Sequence, residues 1–357
     1  MKVSTHQGGD ASKDRRFGTR ATLYTNTLGI GLLFAALIGC TAAEIRPDPG
    51  SGDSLSRSAL RNRPQIVSTS TILTDLTAEL AGEEINLIGI LDPGADPHTY
   101  EPVPADIKAL ETAELILYNG YNLEPGLIRM INAAGVNAKK LAVGELVKPL
   151  DMKYEGQKVP DPHVWGDVAN AIAMVNGIRD ALIEISPEDA DIFTANAAQL
   201  TAELQQLDTW IAQQIATIPP DKRKLVTTHD AFQYYTAAYG LEVVGTLIGV
   251  STEEKPSAKT QSELVEKIKK TGVPAIFAET TINPSLIQTV AQEAQVKLAS
   301  QELYSDSIGA PGSEGDSYIK MMVSNTRTVV EALGGTYQPF EGLQGQGGRG
   351  DRRRQGG

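Results

Sequence analysis

Between Ser186 and Pro220 the sequence writes one long amphipathic helix, and that helix limits what the rest of the chain can do. Ser186 suits an N-cap, Pro187 suits the first helical position, and Asp189 completes a Ser-x-x-Asp capping pattern. Phe193, Ala197, Leu200, Leu204, Leu207, Ile211 and Ile215 then recur every three or four residues. Pro219-Pro220 stops the run. At the usual rise per residue, 187–218 would span about 48 Å. An apolar stripe of that length must be covered along the whole height of the molecule. We expect it to join two lobes as a rigid linker, with limited hinge motion between them.

On either side of this helix, short β-branched runs alternate with helical patterns. In the first half the strands are expected at 65–70, 85–90, 114–118 and 138–143, with helices near 71–81, 104–112 and 123–134. In the second half the strands are 224–228, 241–247, 274–279 and 296–300. The helices there lie near 231–239, 260–271, 284–294 and 316–333. Alternation of this kind implies an α/β chain with parallel sheets and crossover helices. The expected organisation is an N-terminal lobe at 64–185, the linking helix at 186–219 and a C-terminal lobe at 220–337, each lobe a mostly parallel sheet flanked by helices. The 357 residues, 41% of them apolar, suffice for two domains, and the halves show no convincing sequence repeat.

The ends read differently. A basic cluster (Lys13, Arg15, Arg16, Arg20) precedes an apolar run from Leu23 to Gly39, too short for a typical membrane span, that ends Leu37-Ile38-Gly39-Cys40. This ending resembles the bacterial lipobox, and it implies a signal peptide at 1–39 and a lipid on Cys40, the lone cysteine; an uncleaved anchor is the alternative. Residues 41–63 would tether the lipid to the fold, and the Gly/Gln/Arg-rich stretch 338–357 is expected to be disordered. Its Arg349-Gly350-Asp351 tripeptide is of a kind that arises by chance in such tails. Removing five basic and two acidic residues with 1–39 takes the net charge from −12 to −15, which argues against nucleic-acid binding. The expected place of the protein is outside the inner membrane, periplasmic or extracytoplasmic, held by its lipid.

Only four histidines exist, and His6 leaves with the signal. His98 follows strand 85–90 in Asp96-Pro97-His98, His163 sits in Asp161-Pro162-His163-Val164-Trp165, and His229 follows strand 224–228. Ligands of open α/β sheets bind beyond the carboxyl ends of the strands, where these loops lie. Proline stiffens the approach to two of the three. Asp96 and Asp161 are placed to accept a hydrogen bond from nearby backbone or from an imidazole. Any one histidine alone would be read as an ordinary surface or core residue. Three on strand-end loops of two lobes suggest a transition-metal site. Spacings of 65 and 66 residues exclude a local zinc motif, so the site must assemble from separate loops.

Gly94-Ala95-Asp96-Pro97-His98-Thr99-Tyr100-Glu101-Pro102, Asp161-Pro162-His163-Val164-Trp165, the long helix and Tyr304-Ser305-Asp306-Ser307 together resemble the metal-binding solute receptors of bacterial ABC importers, the manganese/zinc/iron family called cluster A-I. The resemblance covers about 64–337. The wording Ala275-Ile276-Phe277-Ala278-Glu279-Thr280-Thr281 and Ser307-Ile308-Gly309 looks like the cyanobacterial manganese receptors in particular. The resemblance implies a metal site between the lobes made by His98, His163, His229 and a fourth ligand, Asp306, with Glu279 near the site but not a ligand. It implies one transported Mn²⁺ or Zn²⁺ per chain, a separate permease and ATPase as partners, and a monomeric receptor rather than an enzyme.

The chain also departs from the family pattern. His229 stands where manganese receptors carry Glu, and an imidazole-rich set favours zinc. The His-rich loop of dedicated zinc receptors is missing. Thr228 and Ala278 occupy positions where some cyanobacterial relatives carry a disulfide, and Val103 replaces the expected Ser/Thr N-cap. The choice between manganese and zinc stays open at this point. Two other classes compete: a secreted zinc hydrolase, which lacks His-Glu-x-x-His, and a surface adhesin of the same fold. No Gly-x-x-x-x-Gly-Lys-Ser/Thr phosphate loop is present, so the chain is not the importer's own ATPase.

Overall fold

A computed structural model describes residues 63–154 and 157–342. The expected signal, Cys40 and most of the tether lie outside the described residues, as does the tail beyond 342. The N-terminal lobe is built on four parallel strands, β1 (Gln65–Ser68), β2 (Asn86–Gly89), β3 (Leu115–Tyr118) and β4 (Lys139–Ala142), in the order β2-β1-β3-β4. Helices α1 (Thr71–Ala81), α2 (Pro104–Thr112) and α3 (Pro125–Ala133) connect them. Neighbouring residues in these strands point to opposite faces. Ile66, Leu115 and Leu117 enter the main core, while Val67 and Ile116 enter a second cluster with Leu110, Leu127 and Ile131. Burial on both faces explains why the strands read as continuous apolar runs.

A hairpin, β5 (Asp151–Tyr154) and β6 (Gln157–Pro160), follows, and then α4 (Val168–Ile185). Neither was expected from the sequence. The hairpin is short and polar, whereas α4 buries Val168, Ala171, Met174, Val175, Ile178, Ala181 and Leu182 at helical spacing, a local pattern missing from the expected elements. The long helix α5 runs Ala190–Ala216, about 40 Å. It starts later than its capping signal suggests. Ser186 Oγ donates to Asp189 Oδ2 at 2.6 Å instead of capping a backbone N–H, and Pro187–Asp189 forms a single tight 3-10 turn. All seven residues of the expected stripe are buried. They meet α1 and α4 from one lobe and α9 (Tyr318–Ala332) from the other.

The C-terminal lobe carries β7 (Lys224–Thr227), α6 (Gln233–Tyr239), β8 (Glu242–Thr246), α7 (Ala258–Thr271), β9 (Ala275–Ile276), α8 (Ser285–Ala294) and β10 (Lys297–Leu298). β7 pairs with β8 and β9 with β10, both parallel, and Phe277 N donates to Val226 O to set the pairs side by side. Leu225 and Phe277 face the main core, whereas Val226 and Ile276 face an outer cluster under α7 and α8. The main core is thus continuous from one sheet to the other, with α5 along its length. Gln338 and Phe340, placed by the sequence in the disordered tail, pack on α5: Trp210 Nε1 donates to Gln338 O at 3.1 Å, and its ring lies 5.3 Å from that of Phe340. Among the described residues no helix is long and apolar enough to cross a membrane.

Candidate metal centre

The loop after β2 turns at Gly94, whose φ of +84° favours glycine, and reaches Asp96-Pro97-His98. Asp96 Oδ1 accepts the His98 backbone N–H at 2.9 Å and so fixes the turn that carries the ring. This carboxylate holds backbone, and among the described bonds it makes none to an imidazole. His163 follows β6. Asp161 Oδ1 accepts its backbone N–H at 3.0 Å and stands 2.8 Å from its Nδ1. Asn119 Nδ2 donates to Pro162 O at 2.9 Å and Tyr234 Oη to Asp161 O at 3.0 Å, so this segment is tied to both lobes. His229 follows β7. Glu279 Oε1 accepts its backbone N–H at 2.8 Å, and Oε2 contacts its Nδ1 closely.

Asp306 arrives from the loop before α9. Trp165 Nε1 donates to Ser305 O at 3.0 Å, Gly94 N donates to Ser307 Oγ at 2.8 Å, and Ile308 N donates to Thr71 Oγ1 at 3.0 Å. Its neighbours are therefore fastened to the opposite lobe. The sequence offered no role for Asn119, Tyr234 or Thr71. Each acts through a contact far away along the chain, which no local pattern encodes.

These loops bring His98, His163, His229 and Asp306 together, their candidate ligand atoms all within 4.8 Å of one another. His98 Nε2 lies 3.2 Å from His163 Nε2. Asp306 Oδ1 lies 3.3 Å from His163 Nε2, and Oδ2 lies 3.1 Å from His229 Nε2 and 4.0 Å from His98 Nε2. Four N and O ligands placed tetrahedrally at zinc-like bond lengths would stand about 3.3 Å apart. His229 Nε2 and both Asp306 carboxylate oxygens are buried with no hydrogen-bond partner. An arrangement like this could hold one divalent ion, because neutral imidazoles and a carboxylate buried together are costly unless a positive charge sits among them.

The electrostatics divide the three rings. Burial pushes His98 down to about 3. For His163 burial acts in the same direction, but Asp161 and Asp306 outweigh it and raise the ring to about 9. Burial opposes protonation of His229 too, and Glu279 and Asp306 overcome it, holding it well above its ordinary value. Asp306 is kept well below the usual carboxylate range: burial would raise it, but the His229 and His163 rings dominate. A carboxylate facing two protonated imidazoles is the electrostatic picture of a cation site with protons in place of the metal. A cleft of about 730 Å³, with Tyr100, Tyr118, Tyr121 and Val250 on its walls, reaches this cluster at His98. Thr228, beside His229, is buried with its hydroxyl unpartnered.

Three similarities fit this arrangement. A manganese-binding lipoprotein, MntA, of Halalkalibacterium halodurans is 36% identical over 270 residues, covering 75% of this chain and 88% of the relative. The manganese ABC transporter substrate-binding lipoprotein PsaA of Streptococcus pneumoniae is 33% identical over 309 residues, covering 85% and 96%. The solved structure of the periplasmic zinc-binding protein TroA from Treponema pallidum superposes with a TM-score of 0.72 at 32% identity, covering 76% of this chain and 99% of that one. Residues 66–332 match the family described as ZnuA, zinc-uptake complex component A, periplasmic, and the chain belongs to that family.

Proposed function

We propose that the protein is an extracytoplasmic receptor that captures one divalent transition-metal ion, manganese or zinc, and delivers it to the permease and ATPase of an ABC importer. His98, His163 and His229 would each offer Nε2, and Asp306 its carboxylate. The observation that carries this reading is the convergence of His229 Nε2 and both Asp306 oxygens, buried and without hydrogen-bond partners, on the rings of His98 and His163. Asp161 and Glu279 support it from behind, because a carboxylate on Nδ1 orients a ligating imidazole and raises its basicity. Three imidazoles and one carboxylate make zinc the tighter-binding ion, while the names of the curated relatives point to manganese. Transport selectivity would then rest on metal availability as well as affinity.

The remaining parts of the reading follow from the chain's ends and halves. Cys40 would carry the lipid that holds the receptor to the membrane, with 40–63 as tether. The lobes would be 64–185 and 220–337 about the linking helix at 186–219, and the receptor would work as a monomer. Family membership speaks against the hydrolase alternative, since four protein ligands leave no open position for a catalytic water.

Metal competition tests the proposal. Metal-free protein is titrated separately with Mn²⁺ and Zn²⁺, then zinc-loaded protein with Mn²⁺, reading metal content and melting temperature. One ion per chain, lost in His229→Ala, is the expected result. Failure to bind either metal would refute the reading. Ester or peptide turnover by the zinc-loaded protein, lost in the same variant, would restore the hydrolase.

A further inference from the structure

Three of the four clustered residues are sealed off, with His163, His229 and Asp306 at 0–1% exposure. His98 alone borders the open cleft, together with Val250, Ser251 and Glu253 from the segment between β8 and α7. An ion leaving the cluster by this cleft passes His98 and that segment. The base of the segment is anchored within its own lobe: Leu247 N donates to Thr228 O at 3.0 Å, and Asp230 N to Gly249 O at 3.1 Å. Its tip crosses to the other lobe, where Thr252 Oγ1 donates to Asp96 Oδ2 at 2.5 Å. The other oxygen of the same carboxylate holds the His98 backbone N–H.

From this geometry we infer that Thr252 is a positioning residue for metal retention: its hydroxyl latches the 247–257 segment over the mouth of the cleft and, through Asp96, steadies the turn that presents His98. The inference rests on the metal-receptor reading. One carboxylate shared between a ring-bearing turn and a crossing hydroxyl couples closure of the mouth to the placement of the outermost ligand. Breaking the bond leaves the base of the segment and the other three residues in place, so the ion should still bind one to one but escape faster.

The test is chelator-driven release of Zn²⁺ from the full-length protein, followed by stopped flow, for wild type, Thr252→Val and Thr252→Ser. A hydrogen bond to a charged acceptor is strong enough for its loss to accelerate release about tenfold in Thr252→Val. Serine, which keeps the hydroxyl, should restore the slow rate. Added to Asp96→Ala, Thr252→Val should change nothing further. Amide exchange across 249–256 in zinc-loaded protein should rise in the valine variant, with exchange in α5 unmoved. Equal release rates in wild type and Thr252→Val, each holding one zinc, would overturn the latch and leave the receptor standing. Acceleration in both variants would overturn it too, by showing that side-chain volume and not the hydroxyl matters. Absence of zinc binding by wild type would overturn latch and receptor together.

Discussion

Asp161 grips His163 at two points, accepting its backbone N–H at 3.0 Å and standing 2.8 Å from its Nδ1 with the same oxygen. A single carboxylate oxygen therefore sets both the position of the loop and the rotation of the ring, and it leaves Nε2 facing Asp306. Asp161→Ala should weaken metal binding about 10- to 100-fold, the usual cost of losing a carboxylate behind a ligating imidazole. Asp161→Asn, which keeps an acceptor but not the charge, should fall between. Competition against a chelator of known affinity checks this, and wild-type affinity in the alanine variant would remove the orienting role.

Asp306 faces two rings at once, 3.3 Å from His163 and 3.1 Å from His229. Its charge helps to raise both of them. Asp306→Ala should abolish one-to-one binding. It should also, in metal-free protein, bring His163 below its value of about 9, because only Asp161 then opposes burial. Histidine titration by NMR reads this directly. A ring still titrating near 9 would assign the whole shift to Asp161.

Much of this was legible in the sequence because it is local. Strand-end loops, Asp-Pro-His turns and the stripe from Phe193 to Ile215 are patterns within a few residues, and the structure puts the three histidines in one place. The helices at Thr71–Ala81 and Pro104–Thr112 match their expected limits, although Val103 has no side-chain acceptor and Asp106 reaches back to its N–H instead. Apart from α4 and the β5–β6 hairpin, what stayed hidden is non-local. Thr252 meets Asp96 across 156 positions and Trp165 meets Ser305 across 140. No periodicity specifies such pairs. Asp306 came through family resemblance, since an acid in a loop has no periodic signature of its own.

The continuous core predicts that the lobes unfold together. Leu204 is fully buried in α5, within the cluster that spans both sheets. Leu204→Ala should cost about 2–5 kcal/mol, the usual range for a buried leucine truncated in a core. It should do so in one cooperative transition, with tryptophan fluorescence and far-UV dichroism coinciding. Two separate transitions would show that α5 does not tie the lobes into one folding unit.

Metal-free protein should lose stability as pH rises from about 6.5 to 9. His163 holds its proton up to about 9 in the folded chain, against 6.5 ordinarily. Its stabilisation is thus complete below 6.5 and gone above 9, a difference of at most about 3 kcal/mol. His229, raised in the same direction, adds to the loss. Glu124, pushed by burial to about 7 from 4.5, destabilises the fold in the same sense over its own lower window. His98, lowered to about 3, works the other way, so its contribution is lost only as pH falls below 6.5. A bound metal ion takes the place of the His163 and His229 protons, and each displaced proton makes apparent affinity fall about tenfold per pH unit as the medium acidifies. The melting-temperature gain on adding zinc should therefore widen steadily from pH 6 to pH 9, and calorimetry in buffers of different ionisation enthalpy should register proton release at pH 7. A gain that stays constant across that range would place the ion away from these imidazoles.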